Sequence, residues 1–259
     1  MIGSMGTNKQ DGAALVTGAG RRIGRAIALG LAADGWRVAV HYRHDAGAAG
    51  ATVAEIRKAG GEAVALRADL ADPQSLDALI PNAAKALGPL SCLINNASVF
   101  ENDRMQDFTR ESWDRTMAVN VLAPALLTQA FAAQLPSAMH GNVVNLLDQR
   151  VWRLTPRFMS YTLSKCALWT LTQTMAMALA PRIRVNGIGH GPALANELQD
   201  ATQFAKQTAS TILGVGPGLD EISAAVRFIL ASQSMTGQMI ALDGGQHLAG
   251  ETPDITGQE

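Results

Sequence analysis

The chain has 259 residues, 47% of them hydrophobic and 17% charged, with a formal net charge of −1. That length supports a large core, and the near-neutral charge leaves no electrostatic footprint for nucleic acid or an anionic membrane. No apolar run suggests a membrane span, and two cysteines, Cys92 and Cys166, cannot form a metal site by themselves.

Met1-Ile2-Gly3-Ser4-Met5 lacks a basic stretch followed by an apolar block, so no signal peptide is expected. With both thiols expected to be reduced, a cytoplasmic location follows. One domain is expected over 12–248, with tails at 1–11 and 249–259. The first predicted strand is Ala13–Val16, followed by the turn Thr17–Gly24 and a helix over Arg22–Asp34. A strand, a glycine-bearing turn and a helix aim main-chain N–H groups and a positive helix end at one point, which suits a pyrophosphate. Glycine allows close approach and positive φ. The spacing differs from Gly-x-Gly-x-x-Gly. Gly18, Arg21, Arg22, Ile23 and Gly24 are the candidate cofactor residues of this turn.

A second strand, Arg37–His41, runs into Tyr42-Arg43-His44-Asp45. A carboxylate directly at that strand end would favour NAD(H). His41 and Arg43 stand there instead and suit a 2′-phosphate, with Arg21 as a further cation, so NADP(H) is preferred. A small backbone shift would bring Asp45 to the ribose. After the helix Ala46–Ala59 and the strand Ala63–Arg67, Asp69 and Leu70 are placed near an adenine. Asp72-Pro73 opens the helix Pro73–Leu87, which Gly88-Pro89 ends. The strand Cys92–Asn95 leads into Asn96, Ala97 and Ser98, which are expected on the nicotinamide side.

The helical run Arg110–Gln134 contains Pro124, four residues after Asn120. Proline has no N–H for the carbonyl of residue 120, so a bend is predicted there, with that carbonyl free to bind water. The strand Asn142–Leu147 ends beside Asp148. In the helix Arg157–Ala180, Tyr161 and Lys165 share one face. A phenol beside an ammonium, and beside the nicotinamide cation of an oxidised cofactor, is expected to have a lowered pKa, which an ionised Asp148 would oppose, and to serve as a positioned acid in hydride transfer. After the strand Arg184–Gly187, the glycine-flanked segment 190–218 reads as a hinged flap with helical character over Ala193–Ser210. The helix Leu219–Ala231 and the strand Met239–Leu242 complete the pattern. Alternating strands and helices predict an α/β doubly wound parallel sheet of about seven strands, with helices on both faces.

Thr17-Gly18 with Gly24, Asn95-Asn96-Ala97, Asn120, Tyr161 with Lys165, and Asp243-Gly244-Gly245 together resemble the short-chain dehydrogenase/reductase family over residues 12–248. The resemblance implies a single-domain Rossmann fold, a nicotinamide cofactor and a homotetramer. It makes Tyr161 the general acid/base, Lys165 the holder of the nicotinamide ribose, and Asn120 the positioner of a relay water.

Three positions depart from the family pattern. Asp148 stands where a serine is usual, Arg22 replaces the middle glycine of the turn, and His190 replaces a proline in the loop after the sixth strand. Asp148 and Arg22, with Phe100 and His41-Tyr42, resemble the pteridine reductase subgroup. That resemblance implies Arg22, Ser98, Phe100, Asp148 and Tyr161 around the substrate, with Phe100 stacked on the pterin and Asp148 relaying protons to Tyr161. Asp148 and Tyr161 are then expected to titrate jointly. The expected activity is NADPH-dependent reduction of a C=N bond. The alternatives are reduction of a carbonyl substrate (3-oxoacyl thioester, ketone or sugar) and a non-enzymatic NADP(H)-sensing regulator.

Overall fold

The computed structural model describes residues 12–195 and 200–250. The expected tail 1–11, residues 251–259 of the expected tail 249–259, and residues 196–199 of the expected flap lie outside the described residues. Seven strands form one parallel sheet in the order β3-β2-β1-β4-β5-β6-β7. They are β1 (Ala13–Val16), β2 (Arg37–Tyr42), β3 (Ala63–Arg67), β4 (Leu90–Asn95), β5 (Gly141–Asp148), β6 (Ile183–His190) and β7 (Met239–Leu242). The helices are α1 (Arg22–Ala33), α2 (Ala46–Lys58), α3 (Pro73–Leu87), α4 (Arg110–Met117), α5 (Ala123–Gln134), α6 (Met159–Leu179), α7 (Ala201–Ala209) and α8 (Leu219–Ala231).

Successive residues of a strand point to opposite faces, and in this sheet both faces are covered. Ala13 and Leu15 of β1 join the core beneath α3, α5 and α6, where Leu79, Leu127, Phe131 and Met175 are buried. Ala14 and Val16 join the core beneath α1, α2 and α8, with Ile27, Val53 and Val226. β1 and β4, at the middle of the sheet, are therefore buried along their whole length. β1 pairs with β2 on one side and β4 on the other, so strand order reverses there and a crevice opens at the carboxyl ends.

Local chemistry sets the helix ends. The Asp72 carboxylate accepts from the Ser75 N–H at 2.9 Å to start α3, and Gly88 ends it at φ 81°. The carboxylate of Asp45 likewise accepts from the Ala48 N–H at 2.8 Å to start α2. The run from Arg110 to Gln134 is continuous but not uniform. Between α4 and α5 it widens into a π-helical turn, Ala118–Leu122, in which the Ala123 N–H reaches the Ala118 carbonyl. Pro124 has no N–H to give Asn120, and the backbone accommodates this by widening where a bend was expected. This helix also corrects the reading that no segment has the length and apolarity of a membrane span. By length and composition alone it qualifies, with mean hydropathy 1.4. Leu127 and Phe131 of that helix are buried in the core against the sheet.

Candidate active site

The glycine turn is held from the main chain. The Thr17 hydroxyl accepts the Asn96 and Ala97 N–H groups, each at 2.9 Å, and the Asn96 amide donates to the carbonyls of Thr17 and Gly18 at 2.8 and 3.2 Å. These bonds fasten the end of β1 to the end of β4. A Cβ on Gly24 would lie 2.3 Å from the Gly18 carbonyl oxygen, so no larger residue fits without moving the turn. Arg22, where a glycine was expected, takes φ 55°. Its guanidinium donates to the Ala195 carbonyl at 2.9 Å and approaches that of Leu194 at 3.5 Å, tying the turn to the chain beyond β6.

His41 is a correction. It was expected to present a cation to a 2′-phosphate, but it is buried. Its Nδ1 accepts the Gly18 N–H at 3.0 Å and its Nε2 lies 3.1 Å from the Ala68 carbonyl, which fixes a neutral tautomer. Burial pushes its pKa down to about 4. His41 therefore shapes the turn, and Arg21 and Arg43 are the cations beside it on the cleft wall. Asp45 is engaged in capping α2, and Asp69 accepts the Ala71 N–H at 3.0 Å while still facing the cleft.

At the other end, β5 delivers Asp148 and α6 delivers Tyr161 and Lys165. The Tyr161 hydroxyl donates to Asp148 Oδ2 at 3.0 Å, and both residues are buried. The lowering of the Tyr161 pKa expected from Lys165 is outweighed, as expected of an ionised Asp148. Burial and then the Asp148 carboxylate hold it well above the usual phenol value, with Arg150 opposing them. Lys165 does not offset this: its Nζ donates to the Leu146 carbonyl at 2.7 Å, and burial brings its pKa down to about 8.

Asn120 does not line the cleft. Its side chain is buried behind it, accepting the Val99 N–H at 2.8 Å and donating to the Val99 carbonyl and the Ser164 hydroxyl at 2.9 Å each. Ser98 donates to the same Asn120 oxygen at 3.2 Å. Asn120 thus ties the loop after β4 to the helix carrying Tyr161. Phe100 meets the Tyr161 ring edge-on at 4.6 Å and lies stacked on Phe158 at 4.5 Å, so one of its faces is already covered. His190 is the last residue of β6 rather than a loop residue, paired in register with Asp148, and its Nδ1 lies 2.9 Å from the Gly191 carbonyl. Burial lowers its pKa.

One cleft of about 1130 Å³ joins the two ends. Gly18, Arg21, Arg22, Ile23, Gly24, His41, Arg43, Asp69, Leu70, Asn96, Ala97, Ser98, Phe100, Asp148, Tyr161 and Lys165 all line it. Its volume exceeds the roughly 300–1,000 Å³ of a single small-molecule site, leaving room for a dinucleotide and a second molecule.

Residues 12–206 match the family model for short chain dehydrogenase. The chain belongs to the short-chain dehydrogenase family. Among solved structures it is similar to FolM alternative dihydrofolate reductase 1 from Brucella suis, solved in complex with NADP. The two are 45% identical, with 96% of this chain and 99% of the other covered and a TM-score of 0.92. A short chain dehydrogenase from Burkholderia cenocepacia J2315, also in complex with NADP, is 34% identical, with 93% and 99% covered and a TM-score of 0.87. A 3-oxoacyl-[acyl-carrier-protein] reductase from Synechocystis is 30% identical over 236 residues, covering 90% of this chain and 95% of that protein.

Within this dehydrogenase, three side chains near the reacting end escaped the sequence reading. Arg150 binds Asp148 through its guanidinium at 3.1 Å and its N–H at 2.8 Å. Phe158 precedes α6 in the left-handed region, with φ 56° and ψ 47°. Asp103 is buried and accepts the Ser160 N–H at 3.1 Å, holding the first turn of α6. Phe158 carries the one available signal, an aromatic immediately before the helix that bears Tyr161. The folding back of Arg150 and the reach of Asp103 over 57 residues leave no local pattern.

Proposed function

We propose that this dehydrogenase uses NADPH to reduce a C=N bond of a pteridine-type substrate, a dihydropterin or dihydrofolate. The observation that carries this reading is the 3.0 Å bond from the Tyr161 hydroxyl to Asp148, a carboxylate where a carbonyl-reducing site is better served by a neutral donor. The FolM relatives named as dihydrofolate reductases, at 45 and 44% identity, support the same substrate class. Their complexes with NADP support that cofactor.

The residues present fit NADP(H). The cradle beside Gly24 excludes even a methyl group, and Gly18, Ile23 and Gly24 would receive the pyrophosphate. Arg21 and Arg43 would face a 2′-phosphate, Asp69 and Leu70 the adenine, and Asn96, Ala97 and Ser98 the nicotinamide side. Lys165 spends one of its three N–H donors on Leu146 and keeps two for the ribose. When bound, the reduced cofactor supplies a hydride to the substrate carbon. Tyr161, held protonated by burial and Asp148, gives its hydroxyl proton to the neighbouring nitrogen. Asp148 then relays a proton back to Tyr161 from water, while Asn120, behind the cleft, holds the helix that carries Tyr161.

Phe100, with one face on Phe158, offers the other to a flat ring. Residues 191–195, bound to Arg22 through Leu194 and Ala195, would cover the substrate. Exposed Leu163 and Met177 on α6 and Leu122 beside α5 support a homotetramer, and free Cys92 and Cys166 a cytoplasmic location.

The Synechocystis relative keeps carbonyl reduction as the second reading. NADPH oxidation followed by absorbance, with dihydrobiopterin, dihydrofolate and 3-oxoacyl thioesters, separates the two. Turnover of the pteridines is expected. Turnover of the thioesters alone would establish the second reading, and tight NADPH binding without any turnover would indicate a regulator.

A further inference from the structure

We propose that Arg150 is a positioning residue for proton transfer, which clamps Asp148 against the Tyr161 hydroxyl and supplies the counter-charge that the Tyr161 phenolate needs. The proposal rests on Tyr161 being the proton donor.

The Asp148 carboxylate accepts three hydrogen bonds, and two come from Arg150. Oδ1 takes its main-chain N–H at 2.8 Å, while Oδ2 takes its guanidinium at 3.1 Å and the Tyr161 hydroxyl at 3.0 Å. Asp148 and Tyr161 therefore meet at one oxygen, and Arg150 fixes where that oxygen points. The pair is not a surface ion pair, since the side chains of Arg150 and Asp148 are only 16% and 9% exposed. Removing the cation leaves a buried carboxylate without its partner.

The guanidinium also lies among aromatic rings. It lies 5.0 Å from the Phe158 ring centre, 5.5 Å from that of Phe100 and 5.9 Å from that of Tyr161. A planar cation over aromatic faces is what arginine provides and lysine does not. Arg150 thereby links the loop after β4, the entry to α6 and the end of β5.

Proton donation converts Tyr161 to a phenolate beside a carboxylate, and two like charges in one buried site repel. The ionisable groups around Tyr161 are Asp148 at the end of β5, Arg150 just after it, Lys165 from α6, His190 from β6 and Asp103 from the loop after β4, whose carboxylate accepts the Ser160 N–H. Lys165 gives one donor to the Leu146 carbonyl and burial brings its pKa down to about 8, while burial disfavours a charge on His190. Arg150 is the neighbour whose charge opposes the push of Asp148 on the phenol.

The chain has two tyrosines, so fluorotyrosine labelling of a Tyr42→Phe background reports Tyr161 alone by fluorine NMR. Ring fluorination makes the phenol more acidic and brings its ionisation into reach in the folded, full-length chain. In Arg150→Met the midpoint is expected to rise by about one unit or more, and in Arg150→Lys to return part of the way. Turnover, on whichever substrate the panel identifies, is expected to lose about tenfold in kcat with its alkaline limb displaced to higher pH, while KM for NADPH stays within about twofold. An unmoved midpoint and an unmoved alkaline limb overturn the proposal, as does a loss confined to KM. If circular dichroism shows Arg150→Met unfolded, Arg150→Gln gives the same readouts with a planar, uncharged side chain. Should Tyr161→Phe keep its turnover while the midpoint moves as expected, the proton-donor reading fails and the Arg150 pairing stands.

Discussion

Around the glycine turn, polar side chains bind the main chain; at the Tyr161 hydroxyl, three side chains bind in series. Thr17, Asn96 and His41 direct their groups at N–H and carbonyl atoms of β1, β3 and β4 and the turns after them. Tyr161, Asp148 and Arg150 instead form a side-chain chain, with Phe100 and Phe158 packed on it. A main-chain cradle is the same for every dinucleotide, whereas a side-chain cluster changes with each residue. The first end thus fits a common cofactor, and the second is free to define a substrate.

The largest expected effect tests the second end by itself. Tyr161→Phe removes the hydroxyl and keeps the ring against Phe100. Turnover is expected to fall by about a hundred- to ten-thousand-fold, the contribution typical of a positioned acid. NADPH affinity, read by fluorescence titration, is expected to stay within about threefold. A parallel loss of affinity would mean that the two ends are one mechanical unit.

The cofactor end carries a pH dependence of its own. His41 is buried as the neutral imidazole, with its pKa lowered from 6.5 to about 4. Above pH 6.5 neither the folded nor the unfolded form binds this proton, and the stability is present in full. As pH falls through the window between 6.5 and about 4, the unfolded chain takes up the proton first and stability is lost. The full loss is about 3 kcal/mol. A protonated Nδ1 also cannot accept the Gly18 N–H. His41→Asn keeps an acceptor and does not titrate, so urea unfolding across this window should show a shallower slope than the parent chain. Equal slopes would show that the buried histidine is not what makes this end acid-sensitive.

The same contrast explains what could be read from the chain. β1 and β7 follow from short apolar runs and α3 from Asp72-Pro73 and Gly88, because these act within a few residues of themselves. Gly18 and Gly24 were legible because the backbone there excludes side chains. Tyr161 and Lys165 were legible because one helix carries both. The direction of the Tyr161 pKa was not, since it depends on burial and on a carboxylate from another strand. His41 shows the same limit from the other side. A histidine at a strand end reads as a surface cation until the chain on both sides is seen to bury it and take both nitrogens. Arg150, in a single 3-10 turn after β5, and Phe158, just before α6, lie where no period announces which way a side chain turns.

Asp103 gives the smallest effect and the sharpest separation of the two ends. It sits in the loop after β4, buried, with Oδ1 on the Ser160 N–H and its own carbonyl on the Met159 N–H at 3.1 Å. Phe158, at the cap position of α6, provides no side-chain acceptor, so Asp103 takes over that service from a distant part of the chain. Its charge also lies at the positive end of the helix that carries Tyr161 and Lys165. Asp103→Ala is expected to cost about 1 kcal/mol, as a lost helix cap does, which lowers Tm by about 2–4 °C in a chain of this size. A loosened first turn displaces the Tyr161 hydroxyl before it affects anything at the glycine turn, so kcat should fall several-fold with NADPH affinity unchanged. Asp103→Asn keeps an acceptor and should recover most of the Tm and the rate. A fall in Tm without any fall in kcat would leave Asp103 a purely structural cap, and would place the positioning of Tyr161 with Asp148 and Arg150 alone.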